Sequence, residues 1–295
     1  MKDLCFITMV RKNYDFLRLW INHHSKLVQD NGSLVIISHG VDPIIDQISM
    51  GCSLIRIPDD SDPPPFEPSR REMFFGMVRA FLPYHKFVVI GDVDELLMVD
   101  PKVGLPISQY LQTLKFESNV MSVCNFNVVH DIFLEPSSIN LSAPILEQRR
   151  HGSIAGGYYC KPMVFCGPVG SSIGANSHRV PGESFQIDRN LICFHLAYFD
   201  SELSSRLAQE KYNRFVELEK MSKSPTEIGS WRKGIINHRR IVKRMRLSDA
   251  FDWDGEEVRN YFNKLEAIGK KRGFIRPHYE WFRHVTLPDR FTGQI

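Results

Sequence analysis

About ninety residues at the start of the chain alternate short apolar runs with amphipathic stretches, and that alternation admits few folds. Leu4 to Val10, Leu34 to Ser38, Ser53 to Ile57 and Phe87 to Ile90 read as strands. Between them Leu17, Trp20, Ile21, His24 and Leu27 or Val28 recur at helical spacing until Asn31-Gly32 stops the pattern. A short helix is expected around Ile44 to Met50, and a longer one from Arg70 to Leu82 with Met73, Phe74, Met77, Val78 and Phe81 inward. This β-α-β-α-β-α-β order predicts a doubly wound, mostly parallel α/β sheet, whose ligands sit beyond the carboxyl ends of the strands.

The fourth strand carries the chemistry. Its apolar run, Phe87 to Ile90, empties into Asp92, Asp94 and Glu95 before apolar residues resume at Leu96. Residues two apart in extended chain point the same way, so Asp92 and Asp94 can face one cation while Val93 turns to the core. Paired hard oxygen ligands suit Mg²⁺ or Mn²⁺ bridging a diphosphate. The triplet alone means little: with 18 Asp in 295 residues, Asp-x-Asp arises about once by chance, and Asp60/Asp62 and Asp252/Asp254 repeat it. Only Asp92/Asp94 follows a buried strand.

The loops after the first two strands point to the same end. Val10-Arg11-Lys12-Asn13 opens the first helix, where backbone N–H groups and two cations could hold phosphates, and Ser38 to Asp42 leaves the second strand. Asn13 reads equally as a helix cap, Gly40 as a turn residue and Asp42 as a turn starter before Pro43. No GxGxxG follows the first strand and no GxxxxGK[ST] occurs, which argues against dinucleotide dehydrogenases and P-loop NTPases.

Beyond the acids, Ile107 to Phe116 reads as a helix and Val120 to Val129 as a strand. From about His130 to Cys193 the chain is rich in Gly, Ser and Pro, with β-like pieces such as Tyr158 to Phe165, and is expected to face an acceptor. Lys161, Ser177-His178-Arg179 and His195 stand out there; a His interrupting an apolar strand reads first as a satisfied core residue. Asp200 or Ser201 caps a helix through Leu203, Leu207, Phe215, Leu218 and Met221, and a last helix opens with Asp254, Glu256 and Glu257. Trp231 to Leu247 is amphipathic and basic: a solvated face first, an anionic membrane surface or phosphate-bearing acceptor next. No nucleic-acid motif accompanies the charge. Six cysteines without CxxC spacing read as reduced, buried thiols, and no apolar run reaches the length of a membrane span, so a soluble, cytoplasmic protein is expected, at most peripheral at the membrane inner face.

Thr8-Met9-Val10-Arg11-Lys12-Asn13, with Phe16-Leu17, Trp20-Ile21 and His23-His24, and then Gly91 to Leu97, resembles the opening and acidic strand end of the family 2-like glycosyltransferases of GT-A fold. Lys161-Pro162, His178-Arg179 and Phe194 to Tyr198 resemble later positions of that family. The chain departs from it at Tyr14, where the family has an acid, at Leu96, where it has an aromatic, and at Tyr198, which stands three residues after His195. The resemblance implies a GT-A domain over residues 1–215, with a helical basic C-terminal extension over residues 216–295.

It further implies a metal-dependent hexosyltransferase of polysaccharide biosynthesis, expected to invert with retention left open, moving a sugar from a nucleotide-sugar donor, expected to be UDP-linked, to a glycan or lipid-linked glycan. The base would lie near Thr8, Met9, Val10, Arg11, Asn13 and His39. Asp92 and Asp94, with Val93 between them, would hold Mn²⁺ or Mg²⁺, and His195 or His178 would complete the site. Arg71 or Lys161 would assist the diphosphate. An inverting transfer needs a group to take the acceptor proton, and Asp131, Glu183 and Asp188 are the candidates. The competing expectations are a nucleotidyltransferase using the same metal, and a non-catalytic basic surface binder.

Overall fold

Strand β1 (Lys2–Val10) sets the layers, because its alternation sends Leu4 and Phe6 into one apolar cluster and Cys5 and Ile7 into another. It is buried on both faces, as a central parallel strand must be. In the computed structural model the described residues are 1–58, 66–154, 160–170, 180–221, 242–243, 245, 250–272 and 284–295. Strands β2 (Leu34–His39), β3 (Ser53–Ile57) and β4 (His85–Ile90) run parallel with β1 in the order β4-β1-β2-β3. Helices α1 (Tyr14–His24) and α2 (Pro43–Ile48) cover one side with Phe16, Leu17, Trp20 and Ile45; α3 (Phe66–Phe81) covers the other with Phe74, Phe75 and Val78. Asp42 starts α2 by accepting from the N–H groups of Ile44 and Ile45, with Pro43 in the first turn. The expected class holds: a mixed α/β sheet with parallel core strands.

The second half adds β5 (Glu95–Val99), α4 (Ile107–Thr113), β6 (Val120–Val129), α5 (Ile145–Gln148), β7 (His151–Ile154), β8 (Pro162–Phe165), β9 (Ile187–Tyr198) and α6 (Ser201–Met221). Strand β8 is antiparallel to both β4 and β6, and β6 then forks the sheet. Val120 and Met121 pair with β8, whereas Cys124 to Asn127 pair in parallel with β9, which is antiparallel to β5. Irregularities between Met121 and Ser122 and between Val123 and Cys124 hand the strand from one partner to the other. Because the chain passes directly from β4 into β5, the acids lie in the crotch of the fork. Sequence periodicity missed β5, since it is a five-residue run opened by a charge.

The expected helical extension is corrected in part. After α6 come β10 (Phe251–Asp252), α7 (Glu256–Arg272) and β11 (His284–Thr286), and β11 pairs antiparallel with β7 and parallel with β10. Trp253, Val258, Phe262, Leu265 and Phe291 join the same core as Leu4 and Phe6. Arg290 also grips buried Asp100, just past β5, through Nε at 2.7 Å and Nη2 at 3.0 Å, and pairs with Asp254 at 2.6 and 2.8 Å. These described C-terminal residues are knit into the sheet rather than appended to it. Most of the basic stretch 231–247, Asp60/Asp62 and Ser177-His178-Arg179 lie outside the described residues.

None of the six cysteines forms a disulfide, and burial pushes the thiols of Cys5 and Cys160 up to about 12. Among the described residues no helix is long and apolar enough to cross a membrane.

Candidate active site at the fork

Gly91 to Asp94 turn the chain from β4 into β5, and the turn closes on itself. Glu95 N–H donates to the Asp92 carbonyl at 3.0 Å, and Asp92 N–H donates to Glu95 Oε2 at 2.9 Å. Lys161 enters from the start of β8, held extended by Pro162 and by a 3.1 Å bond from Val123 N–H to its carbonyl. Its Nζ donates to Asp92 Oδ2 at 2.8 Å and to Glu95 Oε1 at 2.5 Å, while Arg70 of α3 pairs with Asp92 Oδ1. Burial alone would raise the Asp92 carboxyl, but the Arg70 and Lys161 cations outweigh it and hold it well below the usual carboxylate range. Burial would likewise lower the Lys161 ammonium, and Asp92 and Glu95 overcome it and hold it high.

Both Asp92 oxygens are engaged by cationic side chains, so Asp92 organises the turn, whereas Asp94, expected beside it, faces a different partner. Asp94 Oδ2 lies 3.5 Å from His195 Nε2, and His195 Nδ1 lies 2.8 Å from Asn127 Oδ1. With Asn127 Oδ1 accepting from Nδ1–H, the imidazole presents Nε2 to Asp94. Leu196 N–H donates to the Asp94 carbonyl at 2.8 Å and fixes the two side by side. Among the described residues no cluster of three or more His, Cys, Asp or Glu is arranged to hold a metal. A carboxylate and an imidazole nitrogen nonetheless suit a cation that takes its remaining ligands from phosphate and water, as Mg²⁺ and Mn²⁺ do.

Helix α1 holds the far side of β5 through two histidines. His23 Nε2–H donates to the Leu97 carbonyl at 2.8 Å, and Leu97 N–H donates to His24 Nε2 at 3.4 Å, with His24 Nδ1–H on the Trp20 carbonyl at 2.9 Å. The pair thus satisfies the backbone groups of Leu97, two residues along the strand from Glu95. Burial brings the His23 imidazole down to about 4, and burial together with His23 holds His24 well below its ordinary value.

Both histidines charge in the unfolded chain below about pH 6.5 but stay neutral in the fold, so stability is full above that pH and falls on acidification. His23 alone should contribute a slope of about 1.4 kcal/mol per pH unit between about pH 6.5 and 4. Urea denaturation at pH 7 and pH 5 should therefore show a loss of about 2 kcal/mol from this residue, absent in His23→Gln. An identical pH slope in the variant would show that His23 is not buried neutral.

Between α3 and the turn lies a small, half-open cleft lined by Arg70, Arg71, Phe74, Phe75, Gly91, Asp92, Lys161 and Met163. Arg70 stacks 5.5 Å over the Phe74 ring, and Arg71 Nε is buried without a hydrogen-bond partner. Arg11 and His39 sit half-buried at the ends of β1 and β2. Lys12 between Arg11 and Asn13 adopts φ 55°, a left-handed conformation costing about 1–2 kcal/mol in a non-glycine residue. Asn13 makes no side-chain cap; only its carbonyl enters α1, from Leu17 N–H at 2.9 Å. The sequence expectation placed Thr8, Val10 and Val93 on the ligand, but all three are buried, Val10 and Val93 within the main core; Met9 packs against the α3-side cluster.

Of the three candidate bases, two are corrected. Strand β6 runs parallel to β4, so the acids lie toward its C-terminal end. Glu183 sits at the opposite end, accepting from Asn119 N–H at 2.7 Å, and Asp188 is consumed at the start of β9 by Tyr110 Oη–H and by Asn190 and Leu191 N–H. Asp131 follows the C-terminal end of β6, buried, with one oxygen on Phe133 N–H at 3.0 Å. Sequence reading gave Arg70 and Asn127 no role and counted Glu95 among the strand-end acids without its partner. Glu95 left a signal, because a carboxylate opening the run Glu-Leu-Leu-Met-Val must find a cation.

No family model and no curated protein matches the sequence. Among solved structures, residues 1–349 of TarS from S. aureus are similar at a TM-score of 0.38 and 10% identity, over 89% of this chain and 78% of that one. The longer TarS structure gives a TM-score of 0.36 at 10% identity over 80% of this chain, which spans 43% of its length. The mannosyltransferase PcManGT from Pyrobaculum calidifontis, solved with GDP-Man and Mn²⁺, gives 0.37 at 11% identity over 93% of this chain and 79% of that one. Likeness at this level leaves the chemistry to be argued from the side chains at the fork.

Proposed function

We propose that the chain is a divalent-cation-dependent glycosyltransferase that moves a hexosyl group from a nucleotide sugar to a hydroxyl of a glycan or lipid-linked glycan. The observation that carries this reading is the convergence of Asp94 Oδ2 and His195 Nε2 beside a cleft walled by Arg70, Arg71 and Lys161. A cation held by Asp94 and His195 would neutralise the charge that develops on the departing diphosphate.

The chain's own groups supply the rest. Arg71 and the exposed side of the Arg70–Lys161 pair bind phosphate oxygens, with planar, bidentate geometry from the arginines. Asp92 and Glu95 keep Lys161 extended, so no rearrangement is needed as charge builds. Asp131 takes the acceptor proton in an inverting transfer, being the one candidate acid at the correct end of β6. The family resemblance in the opening segment and around Asp94 supports the same assignment.

Thermal denaturation with UDP- and GDP-linked sugars, each with and without Mn²⁺, tests the reading. The expected result is stabilisation by one nucleotide series only when the cation is present. Stabilisation that ignores the cation, or none with any nucleotide, would exclude a metal-assisted glycosyl transfer at this site.

A further inference from the structure

The turn that follows β6 breaks the usual chemistry of turns. Loop tips favour Gly, Pro, Asn, Asp and Ser, yet Ile132, Phe133 and Leu134 occupy this one in succession. They stand 49%, 63% and 57% exposed, and among the described residues no other three exposed large apolar side chains are consecutive. The backbone beneath them is fixed: the Asp131 carbonyl accepts from Leu134 N–H at 3.0 Å and Glu135 N–H at 2.9 Å, and Asp131 Oδ1 accepts from Phe133 N–H at 3.0 Å. His130 Nε2 lies 2.9 Å from the Glu135 carbonyl and ties off the far end. A closed turn thus holds three apolar side chains out to water, the kind of exposure that marks a contact surface.

The charge around this turn is one-sided. Of the acids from residue 131 to residue 140, Asp131 is buried, and Glu135 spends Oε1 on Arg150 N–H at 2.6 Å and keeps Oε2 buried. Neither carboxylate faces outward. A cation does: Val242 and Met245 of the basic stretch pack with Tyr198 and Val129, and Lys243 between them is exposed. Val129 precedes Ile132 by three residues, a reach of at most about 11 Å, so the segment of Lys243 lies beside the apolar turn. In sequence Lys243 is flanked by Arg239, Arg240, Arg244 and Arg246.

We infer that the turn Ile132-Phe133-Leu134 is a docking tip that enters the headgroup region of an anionic bilayer, with the basic segment around Lys243 held against the lipid phosphates. Reversible membrane association needs both signals, buried apolar area and attraction to anionic lipid, because each is weak alone. Three side chains suit a fluid interface that closes around them, and fall short of the roughly 800 Å² that a stable protein interface takes from each partner. The tip and the proposed transfer share one end of the sheet, since Asp131 forms the base of the turn. Where the transfer reading holds, docking brings that carboxylate to hydroxyls carried by the bilayer.

Flotation of the full chain with vesicles tests the tip. The vesicles are pure phosphatidylcholine, and phosphatidylcholine with about 30% phosphatidylserine, at about 0.1 M and about 0.5 M NaCl. The proteins are wild type, Phe133→Ser/Leu134→Ser, Lys243→Gln, and Val41→Ser/Met50→Ser, which removes two apolar side chains exposed elsewhere on the surface. Wild type should float with the phosphatidylserine vesicles and be released by salt. The tip variant should lose at least about tenfold of the partition coefficient with an unchanged melting temperature, Lys243→Gln about fivefold, and Val41→Ser/Met50→Ser should stay within about twofold of wild type. If the tip variant fails to fold, Phe133→Gln carries the comparison. Wild type that does not float, a folded tip variant that floats as well as wild type, or an equal loss in Val41→Ser/Met50→Ser overturns the inference. So does self-association of wild type, seen by analytical ultracentrifugation and abolished in the tip variant while neither protein floats, which would make the tip a contact between copies of the chain. Flotation is read without nucleotide or cation, so its failure leaves the Asp94–His195 reading untouched.

Discussion

Lys161→Met should cost the fold about 3–5 kcal/mol, because it strips the counter-ion that partly exposed Asp92 shares with Glu95, and Glu95 cannot reach water. The Glu95 side chain is fully buried, and Lys161 Nζ at 2.5 Å is its cationic partner. Methionine fills a similar volume, so the loss measures charge rather than packing. Asp92 retains Arg70, which places most of the damage on Glu95. Adding Glu95→Gln to Lys161→Met should recover most of the stability, with a coupling above about 1 kcal/mol in a double-mutant cycle. Urea denaturation of the four proteins reads this directly. A single-variant loss below about 1 kcal/mol, or no rescue by Glu95→Gln, would mean that the ammonium does not hold the acidic turn together.

Asp94→Asn should leave the melting temperature near that of the wild type and lower the Mn²⁺-dependent affinity for a nucleoside diphosphate by about 100-fold, roughly 2.7 kcal/mol. The asparagine keeps shape and one acceptor oxygen but removes the negative charge that a hard cation requires. Asp92→Asn should behave the opposite way, losing stability through Arg70 and Lys161 while keeping its dependence on Mn²⁺. Calorimetry with and without the cation separates the two aspartates. Equal cation dependence in Asp94→Asn and wild type would remove Asp94 as a ligand.

The parallel half of the fold was legible because each strand and helix there carries its own periodicity: β1 divides Leu4 and Phe6 from Cys5 and Ile7, and α3 repeats Phe74, Phe75 and Val78. In the second half β6, the piece that holds β8 and the apolar run around His195 were legible, but the five-residue β5 was not, and no strand announced its partners, which are set by the sheet. The same holds at the site. Asp92, Asp94, Lys161 and His195 stood out as polar residues in apolar context, but their division of labour depends on tertiary pairing. Which aspartate meets the cationic side chains is decided by where α3 and β8 cross the turn, and no local pattern reports that crossing. Glu183 and Asp188 were plausible by residue type alone; the direction of β6 and β9 is what removes them.

Helix α1 joins the two ends of this half-site. It begins two residues after the left-handed Lys12, and its last residues are the histidines on Leu97. Eleven residues make a rod of about 16 Å, stiff along its axis. The loop at residues 11–13 and the strand that leaves the acidic turn are therefore anchored to opposite ends of one rod.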